Sequence, residues 1–420
     1  MSYNHKQQEL FKKVDYTIED KKASKFINEY KKNADLENLT CPFEVFTIMG
    51  SNASMGYSTH SAFRYFGKFP PPVAKRFIQD YHKKEMGPVV DPMVGSGTTL
   101  VESLFLGCDA VGFDINPLSV LISKVKTTKL DRVKALKCLD NFSIFINDNN
   151  IDSHRINKNI PNDKYIDHWF LKKVQNDLAL TKIFIESIEN VKIKNLFTVS
   201  LAGIIRECSN ASNNLGRMFL DPNKKIPNVE KSIYKRVNKI LDGLDDLPFK
   251  NNILVKLHDS QKKYKTSKIT NLIICHPPYF NLYKYSGIYK FEMLWCGFEP
   301  KETRSNEIRE SFKIGKAERV HFYVDDLIKS INNISDLLVN NGFLMFMMGD
   351  TTLRDKRINT TSLFLNKLKK VDNKLKVEKF IIRIPKNTEA SYAASMKRDS
   401  NNIGVKLYDH IIIFKKKNDR

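Results

Sequence analysis

Asp91-Pro92-Met93-Val94-Gly95-Ser96-Gly97-Thr98-Thr99-Leu100-Val101-Glu102 is the stretch that decides the fold. The apolar run 87–90 before it reads as a short strand after a turn. Behind it, residues 98–106 read as a helix start, with a threonine able to cap and apolar residues spaced for one buried face. Gly95 and Gly97 let the backbone turn sharply and approach a ligand, as a strand-loop-helix nucleotide site requires. Farther on, Ala110-Val111-Gly112-Phe113-Asp114 reads as a second strand ending in an acid. A carboxylate there, one βα unit past the glycine loop, is placed to accept hydrogen bonds from ribose hydroxyls; the alternative is a helix-capping acid. The pattern predicts an α/β chain with a Rossmann-like, doubly wound sheet. The loop has neither the GxGxxG spacing of dinucleotide folds nor the GK[ST] of P-loops, so alone it is weak.

A second signal lies far downstream. Thr270-Asn271-Leu272-Ile273-Ile274-Cys275 reads as a buried strand and runs into His276-Pro277-Pro278-Tyr279-Phe280. With these residues the chain resembles the S-adenosylmethionine-dependent amino-methyltransferases that modify exocyclic amines of DNA bases. Their signature is Asp, Asn or Ser, then Pro-Pro and an aromatic, at the end of the fourth strand. Residues 91–102 resemble the family's cofactor motif, and Phe113-Asp114-Ile115-Asn116-Pro117 its ribose acid. Phe66-Gly67-Lys68-Phe69-Pro70 resembles its methionine-side motif. The resemblance covers 59–415, with a long interruption in the middle.

The resemblance implies S-adenosylmethionine as cofactor and double-stranded DNA with a flipped target base as partner. It implies cofactor contacts from Lys68, Phe69, Asp91, Pro92, Gly95, Ser96, Gly97, Thr98, Thr99, Asp114, Ile115 and Asn116. Asp259 is a further candidate, for the adenine edge, and reads equally as an exposed loop acid; Phe69 reads equally as core. His276 takes the place of the amine acceptor and the Pro277 carbonyl that of a second, beside Pro278, with Tyr279 as stacking platform. His276 departs from the usual Asp, Asn or Ser. A neutral imidazole accepts one hydrogen bond, so the role is feasible, and an ordinary histidine would lose it below about pH 6.5. Such a histidine also fits a degenerate motif in an inactive protein.

Composition bounds the setting. The 420 residues, 41% hydrophobic, suffice for one large domain or two ordinary ones. No apolar run approaches a membrane span, and the first 13 residues are polar, so the expectation is a cytoplasmic protein without membrane contact. Six scattered cysteines have no CxxC or CxxH spacing, which argues against a metal site. The net charge of +22 favours a polyanionic partner; an AT-rich genome enriching lysine is the bland alternative.

Along the chain, 1–50 reads as a polar arm or cap, helical over 18–34, with a short strand at 44–49. Residues 51–117 and 251–420 read as the methyltransferase core, and 118–250 as a helical insert and possible target-recognition subdomain. The doubly wound pattern resumes at 253–259. It continues through an amphipathic helix at 317–338, a turn at Asn341-Gly342, an apolar strand at 343–350, and an antiparallel pair at 377–384 and 409–415. The interleaved Tyr283, Lys284, Tyr285, Tyr289 and Lys290 suit nucleic-acid contact, or helix packing through Tyr289, Met293 and Cys296. Arg206, Ser209 and Asn210 recur in similar proteins, and equally read as a cap and an ion pair. Residues 391–402 read as a loop facing DNA, or an inert one.

The leading expectation is a site-specific DNA methyltransferase acting on cytosine N4 slightly ahead of adenine N6, in restriction-modification or phage defence with a cognate endonuclease. The cytosine preference rests on Phe280-Asn281-Leu282-Tyr283-Lys284-Tyr285-Ser286, which resembles the Ser-opening group. The alternatives are an RNA amino-methyltransferase acting on tRNA and an inactive DNA-binding methylase fold.

Overall fold

Two halves of one sheet diverge at the loop that follows Asp91. The computed structural model describes residues 16–17, 23–48, 54–147, 151–213, 218–280, 284–310, 319–353, 356–371, 374–384 and 408–418. Its strands are β1 (Tyr16–Thr17), β2 (Phe43–Ile48), β3 (Val89–Asp91), β4 (Ala110–Asp114), β5 (Ile253–Leu257) and β6 (Thr270–Cys275). They continue with β7 (Leu338–Gly349), β8 (Thr351–Leu353), β9 (Lys356–Ile358), β10 (Leu375–Arg383) and β11 (Asp409–Lys416). Nine of them form one sheet in the order β1-β2-β10-β11-β7-β6-β3-β4-β5, and β8 and β9 make a separate hairpin. From β5 to β7 every neighbouring pair is parallel. Strand β11 is antiparallel to both β7 and β10, as the sequence pairing of its end with 377–384 predicts.

The chain leaves β3 toward β4 and β5, then returns to lay β6 and β7 on the other side. The order therefore reverses between β3 and β6, and a crevice opens outside the C-terminal ends of those two strands. That is where doubly wound sheets bind ligands. The Rossmann-like, doubly wound expectation holds.

Both sheet faces are covered, and the strand pattern shows how. Ile273 and Cys275 of β6, Leu344, Phe346 and Met348 of β7, and Ile412 and Phe414 of β11 enter one core. Leu272, Ile274, Met345, Met347, Ile411 and Ile413 alternate with them into the other. Helix His321–Ser335 and helix Thr360–Lys370 cover the first face, and helix Pro71–Tyr81 and helix Thr98–Phe105 the second. The turn read at Asn341-Gly342 is an irregularity inside β7: Asn341 has φ 61°, and the β6–β7 register jumps from Thr270↔Leu338 to Leu272↔Phe343.

The segment read as a polar arm is woven into this architecture. Strand β2 runs parallel to β10, and Tyr30, Ala34, Leu36 and Leu39 are buried against the sheet. Together with Phe46 and Ile48 of β2 they anchor the segment, which composition averaged over 1–50 hides. Helix Pro117–Lys126, placed by sequence in the insert, is the crossover between β4 and β5. The insert helices proper are Arg132–Ile146, Lys172–Ser187, Val191–Ile205 and Val229–Asp245, with shorter ones between. They share one core with Ala62, Phe63, Val101 and Leu104 of the sheet unit.

Helix Val229–Asp245 meets that unit at Gly243. A Cβ there would lie 2.7 Å from the Ser58 carbonyl and 2.9 Å from the Thr59 nitrogen, both backbone. The Ser58 hydroxyl donates to the Gly243 carbonyl at 2.7 Å. Gly243→Ala in an open helix would stabilise by about 1 kcal/mol. Here the sign reverses, and a loss of about 1–3 kcal/mol is expected from overpacking against rigid backbone, read from the urea midpoint. An unchanged or raised midpoint would show that the helix stands off from residues 58–61.

Candidate cofactor and base cleft

Asp91 organises the glycine loop from beneath. Its carboxylate accepts from the Met93 amide at 3.1 Å and from the Thr99 hydroxyl at 2.5 Å, tying the strand end to the following helix. Burial pushes Asp91 up to about 7 against the pull of those hydrogen bonds. The loop itself turns at Gly95 (φ 49°) and Gly97 (φ 77°). A Cβ on Gly97 would press within 2.9 Å of the Ser123 hydroxyl and 3.2 Å of its Cα, so only glycine lets the loop lie on helix Pro117–Lys126.

Asp114 couples the loop to the next strand. The Gly95 amide and the Asn116 amide each donate to its carboxylate at 2.8 Å. Burial raises it to about 6 in spite of these donors. Asn116 caps the following helix by accepting from the Leu118 amide at 2.9 Å.

These groups open on one cleft of about 980 Å³, part of it open to solvent. The β3 loop contributes 91–96 and Thr98, the end of β4 contributes 114–116, and the loop after β5 contributes 258–261. Across the crevice stand His276 and Pro278 from the end of β6, and 65 and 67–69 from the segment before helix Pro71–Tyr81. Lys68 and Phe69 thus both face the cleft. The Lys68 ammonium donates to the His60 carbonyl at 2.8 Å and is lowered to about 8 by burial. Phe69 is also core, only 7% exposed, so both readings of it hold.

The cleft's charge is one-sided. Asp91, Asp114, Asp259, Glu307 and Glu310 line it, against Lys68 as the one lysine or arginine among the described lining residues. Two buried polar atoms on its lining residues, Thr98 Oγ1 and Asn116 Nδ2, have no hydrogen-bond partner. Buried polar groups are rarely left unsatisfied, so their place in the cleft wall points to a ligand that completes them.

His276 stands with its ring centroid 5.4 Å from Phe69 and 5.4 Å from Tyr279, perpendicular to the latter. Burial lowers it to about 4. The sequence expectation of a protonation near pH 6.5 is therefore corrected: the apolar wall withholds the proton until much lower pH. The Pro278 carbonyl accepts from the Tyr323 hydroxyl at 2.9 Å, which pins the turn. Tyr279 lays its ring on Gly349, where a Cβ would approach within 2.9 Å, and its hydroxyl donates to Asp409 at 2.9 Å.

Not every residue expected at the site lines it. Gly97, Thr99, Pro277 and Tyr279 stand just behind or beside the lining. Asp259 does line it, with one oxygen accepting from the Gln261 amide at 2.9 Å. Sequence reading missed Tyr65, His258, Ser260, Gln261, Glu307 and Glu310, which reach the cleft from connecting segments without a short motif. Arg206, Ser209 and Asn210 take the ion-pair and cap reading. Arg206 lies 3.7 Å from Glu292, the Ser209 hydroxyl donates to the Arg206 carbonyl at 2.9 Å, and the Asn210 amide to His168 at 3.1 Å. Tyr285 faces the cleft, whereas Tyr289 and Met293 are buried in the helical core; Tyr283 and 391–402 lie outside the described residues. No described helix is long and apolar enough to cross a membrane.

Known proteins similar to the chain in sequence are methyltransferases. Residues 1–124 match the profile of a DNA methylase family, the N6/N4 methyltransferases. The chain is 28% identical over 306 residues to the type II methyltransferase M.MvaI of Kocuria varians, covering 67% of this chain and 67% of that protein. It is 22% identical over 297 residues to the type II methyltransferase M.BsoBI of Geobacillus stearothermophilus, covering 63% and 57% respectively. Among solved structures, the rRNA methyltransferase aviRa from Streptomyces viridochromogenes is matched over 83% of this chain and 86% of that one at 8% identity. Its TM-score of 0.27 is too low to carry weight.

Proposed function

We infer, for a chain related to the DNA amino-methyltransferases, that it transfers a methyl group from S-adenosylmethionine to an exocyclic amine of a base in double-stranded DNA. The single observation that carries the reading is the meeting of two strand ends. The glycine loop after β3 and the His-Pro-Pro-Tyr turn after β6 sit on neighbouring strands at the sheet's switch point and open on one acid-lined cleft. Cytosine N4 is preferred slightly over adenine N6, on the residues after Tyr279. The proposed setting is the modification half of a restriction-modification system.

When bound, S-adenosylmethionine supplies an activated methyl group on a cationic sulfonium. The acidic lining suits that charge, with Glu307 and Glu310 partly balanced by Arg304. In this reading Asp114 keeps its bonds to Gly95 and Asn116 and uses remaining lone pairs for ribose hydroxyls. Thr98 and Asn116 offer their unpartnered atoms, Lys68 and Phe69 wall the methionine end, and Pro92, Ser96 and Ile115 shape the floor. Asp91 and Thr99 hold the loop rather than the ligand, and Asp259 bounds the adenine end. His276 accepts one proton of the target amine at its unprotonated nitrogen, and the Pro277 carbonyl accepts the other. Tyr279 offers a ring face held in place by Asp409.

One consequence concerns pH. Asp114 is raised to about 6 by burial, and its anion accepts ribose hydrogen bonds more strongly than its acid does. Cofactor affinity is thus expected to strengthen as pH rises through about 6 and to weaken below it. Asp114→Asn is expected to bind weakly with that pH dependence removed. Calorimetric titration between about pH 5 and about pH 8 checks this, and a constant affinity over that span would exclude Asp114 from the site.

The function is tested by sequencing DNA from a host expressing the chain with a method that detects N4-methylcytosine and N6-methyladenine. One methylated base at a recurring short site is expected. Unmodified DNA with methylated tRNA overturns the substrate class. Failure to bind S-adenosylmethionine overturns the enzyme reading altogether.

A further inference from the structure

A second cleft lies on the other side of an aromatic wall from the first, and its charge is opposite. It encloses about 1230 Å³, part of it open, between residues 63–66, the end of helix Val191–Ile205 and helix Val229–Asp245. Arg64, Arg206, Lys224, Lys225, Lys231 and Lys235 line it, against two carboxylates, Glu207 and Glu292. Both carboxylates are already committed. Glu207 is paired with Arg236, and Glu292 lies 3.7 Å from Arg206. Lys224 spends its donors on the Arg206 and Ala211 carbonyls at 2.7 and 2.6 Å. Arg64, Lys225, Lys231 and Lys235 have no carboxylate partner among the described residues. Lys231 and Lys235 stand four apart on one helix, a repulsive spacing that a bound anion would relieve.

We propose that this cleft holds backbone phosphates of the substrate duplex beside the target base. The proposal rests on the DNA-methyltransferase reading and adds where the strand is gripped. Phe66 lies between Arg64 at 4.8 Å and Arg206 at 5.5 Å, giving the cations an aromatic floor. The separating wall is thin: Tyr289 lines this cleft and stacks at 5.2 Å on Tyr65, which lines the first. The Phe66 amide donates to the Tyr289 hydroxyl at 2.6 Å, so the floor of one cleft and the wall of the other move together. A phosphate chain is disfavoured in the first cleft, where Asp114 and Asp259 face the ligand space, and attracted by the cations of the second. Only an uncharged base need cross between them.

The test uses the full chain and a fluorescent random-sequence duplex, whose backbone binding is independent of sequence. The triple variant Arg64→Gln, Lys231→Gln, Lys235→Gln is compared with wild type over a salt series. Each lost phosphate contact lowers the slope of log K against log salt by about 0.9, so a drop of about 2.7 is expected. Affinity at about 0.15 M salt should fall on the order of 100-fold, with S-adenosylmethionine binding unchanged. Lys192→Gln, at the far end of helix Val191–Ile205 and about 21 Å along it from Arg206, should change neither. An unchanged slope in the triple variant, while wild type binds and methylates DNA, overturns the proposal alone. Tighter binding of unmodified tRNA than of duplex by wild type overturns the proposal together with the function. Inorganic phosphate displacing the duplex far better than chloride at equal ionic strength would mark a free-phosphate pocket and overturn it as well.

Discussion

Replacing His276 by alanine is expected to slow methyl transfer by about 10²–10³-fold, the usual consequence of removing one hydrogen-bonding group aimed at developing charge. Affinity for S-adenosylmethionine should hardly change. The target nitrogen is a poor nucleophile because its lone pair is delocalised into the base ring. An acceptor for its protons draws it toward tetrahedral geometry and stabilises the positive charge that grows on it as the methyl group arrives. His276 makes no hydrogen bond to the described residues, so its unprotonated nitrogen is available for that purpose. His276→Asn, which keeps an acceptor, should retain much more activity than His276→Ala. Because burial holds His276 to about 4, kcat at saturating cofactor should stay flat from about pH 8 to about pH 5 and fall only near about pH 4. That separates it from Asp114, which is raised to about 6 and acts on cofactor affinity. A kcat that falls with a midpoint near about pH 6.5, or an alanine variant within about threefold of wild type, would remove His276 from the reaction.

Which parts of this were legible in the sequence follows from the range of each signal. Asp91, Gly95, Gly97 and Asp114 could be read because their chemistry is local: a turn, a close approach and a strand end lie within 24 residues of each other. Strands β4 and β6 fall on the residues read for them, Ala110–Asp114 and Thr270–Cys275, since unbroken apolar runs in a covered parallel sheet leave little choice. Helix boundaries inside the insert were not legible. Helix Lys172–Ser187, for example, is buried over several faces, so periodicity marks no end for it. Glu307 and Glu310 were invisible for a different reason. Glu307 accepts from Ser286 and pairs with Arg304, and Glu310 pairs with Arg304, contacts that exist only once the chain has folded. Residues 23–48 read as a polar arm because their six buried apolar residues, Tyr30, Ala34, Leu36, Leu39, Phe46 and Ile48, are diluted among charged and polar neighbours. The second cleft shows the same limit: Arg64 and Lys235 are 171 positions apart and meet only through the insert's shared core.

Asp409→Ala is expected to destabilise the protein by about 3–5 kcal/mol, because it removes the carboxylate from a buried ion pair. Asp409 faces Arg383 across the β10–β11 pair, and Arg383 is 2% exposed. The guanidinium donates to the carboxylate through Nε at 2.9 Å and through a second nitrogen, with the Tyr279 hydroxyl on the other oxygen at 2.9 Å. Removing the carboxylate takes away the charge that Arg383 faces in a buried site, and the arginine cannot answer by losing its proton. Replacing both partners by apolar residues of similar size, Arg383→Met with Asp409→Leu, should recover most of the loss, since two desolvated charges then disappear together. Urea midpoints at unchanged slope measure both variants. The same carboxylate fixes Tyr279, so the doubly apolar variant, though stable, should still transfer methyl groups slowly, its ring no longer held by the hydroxyl. A loss below about 1 kcal/mol in Asp409→Ala would mean water reaches Arg383. A doubly apolar variant that is both stable and fully active would mean the ring face of Tyr279 needs no anchor, and would take Asp409 out of the account of the base site.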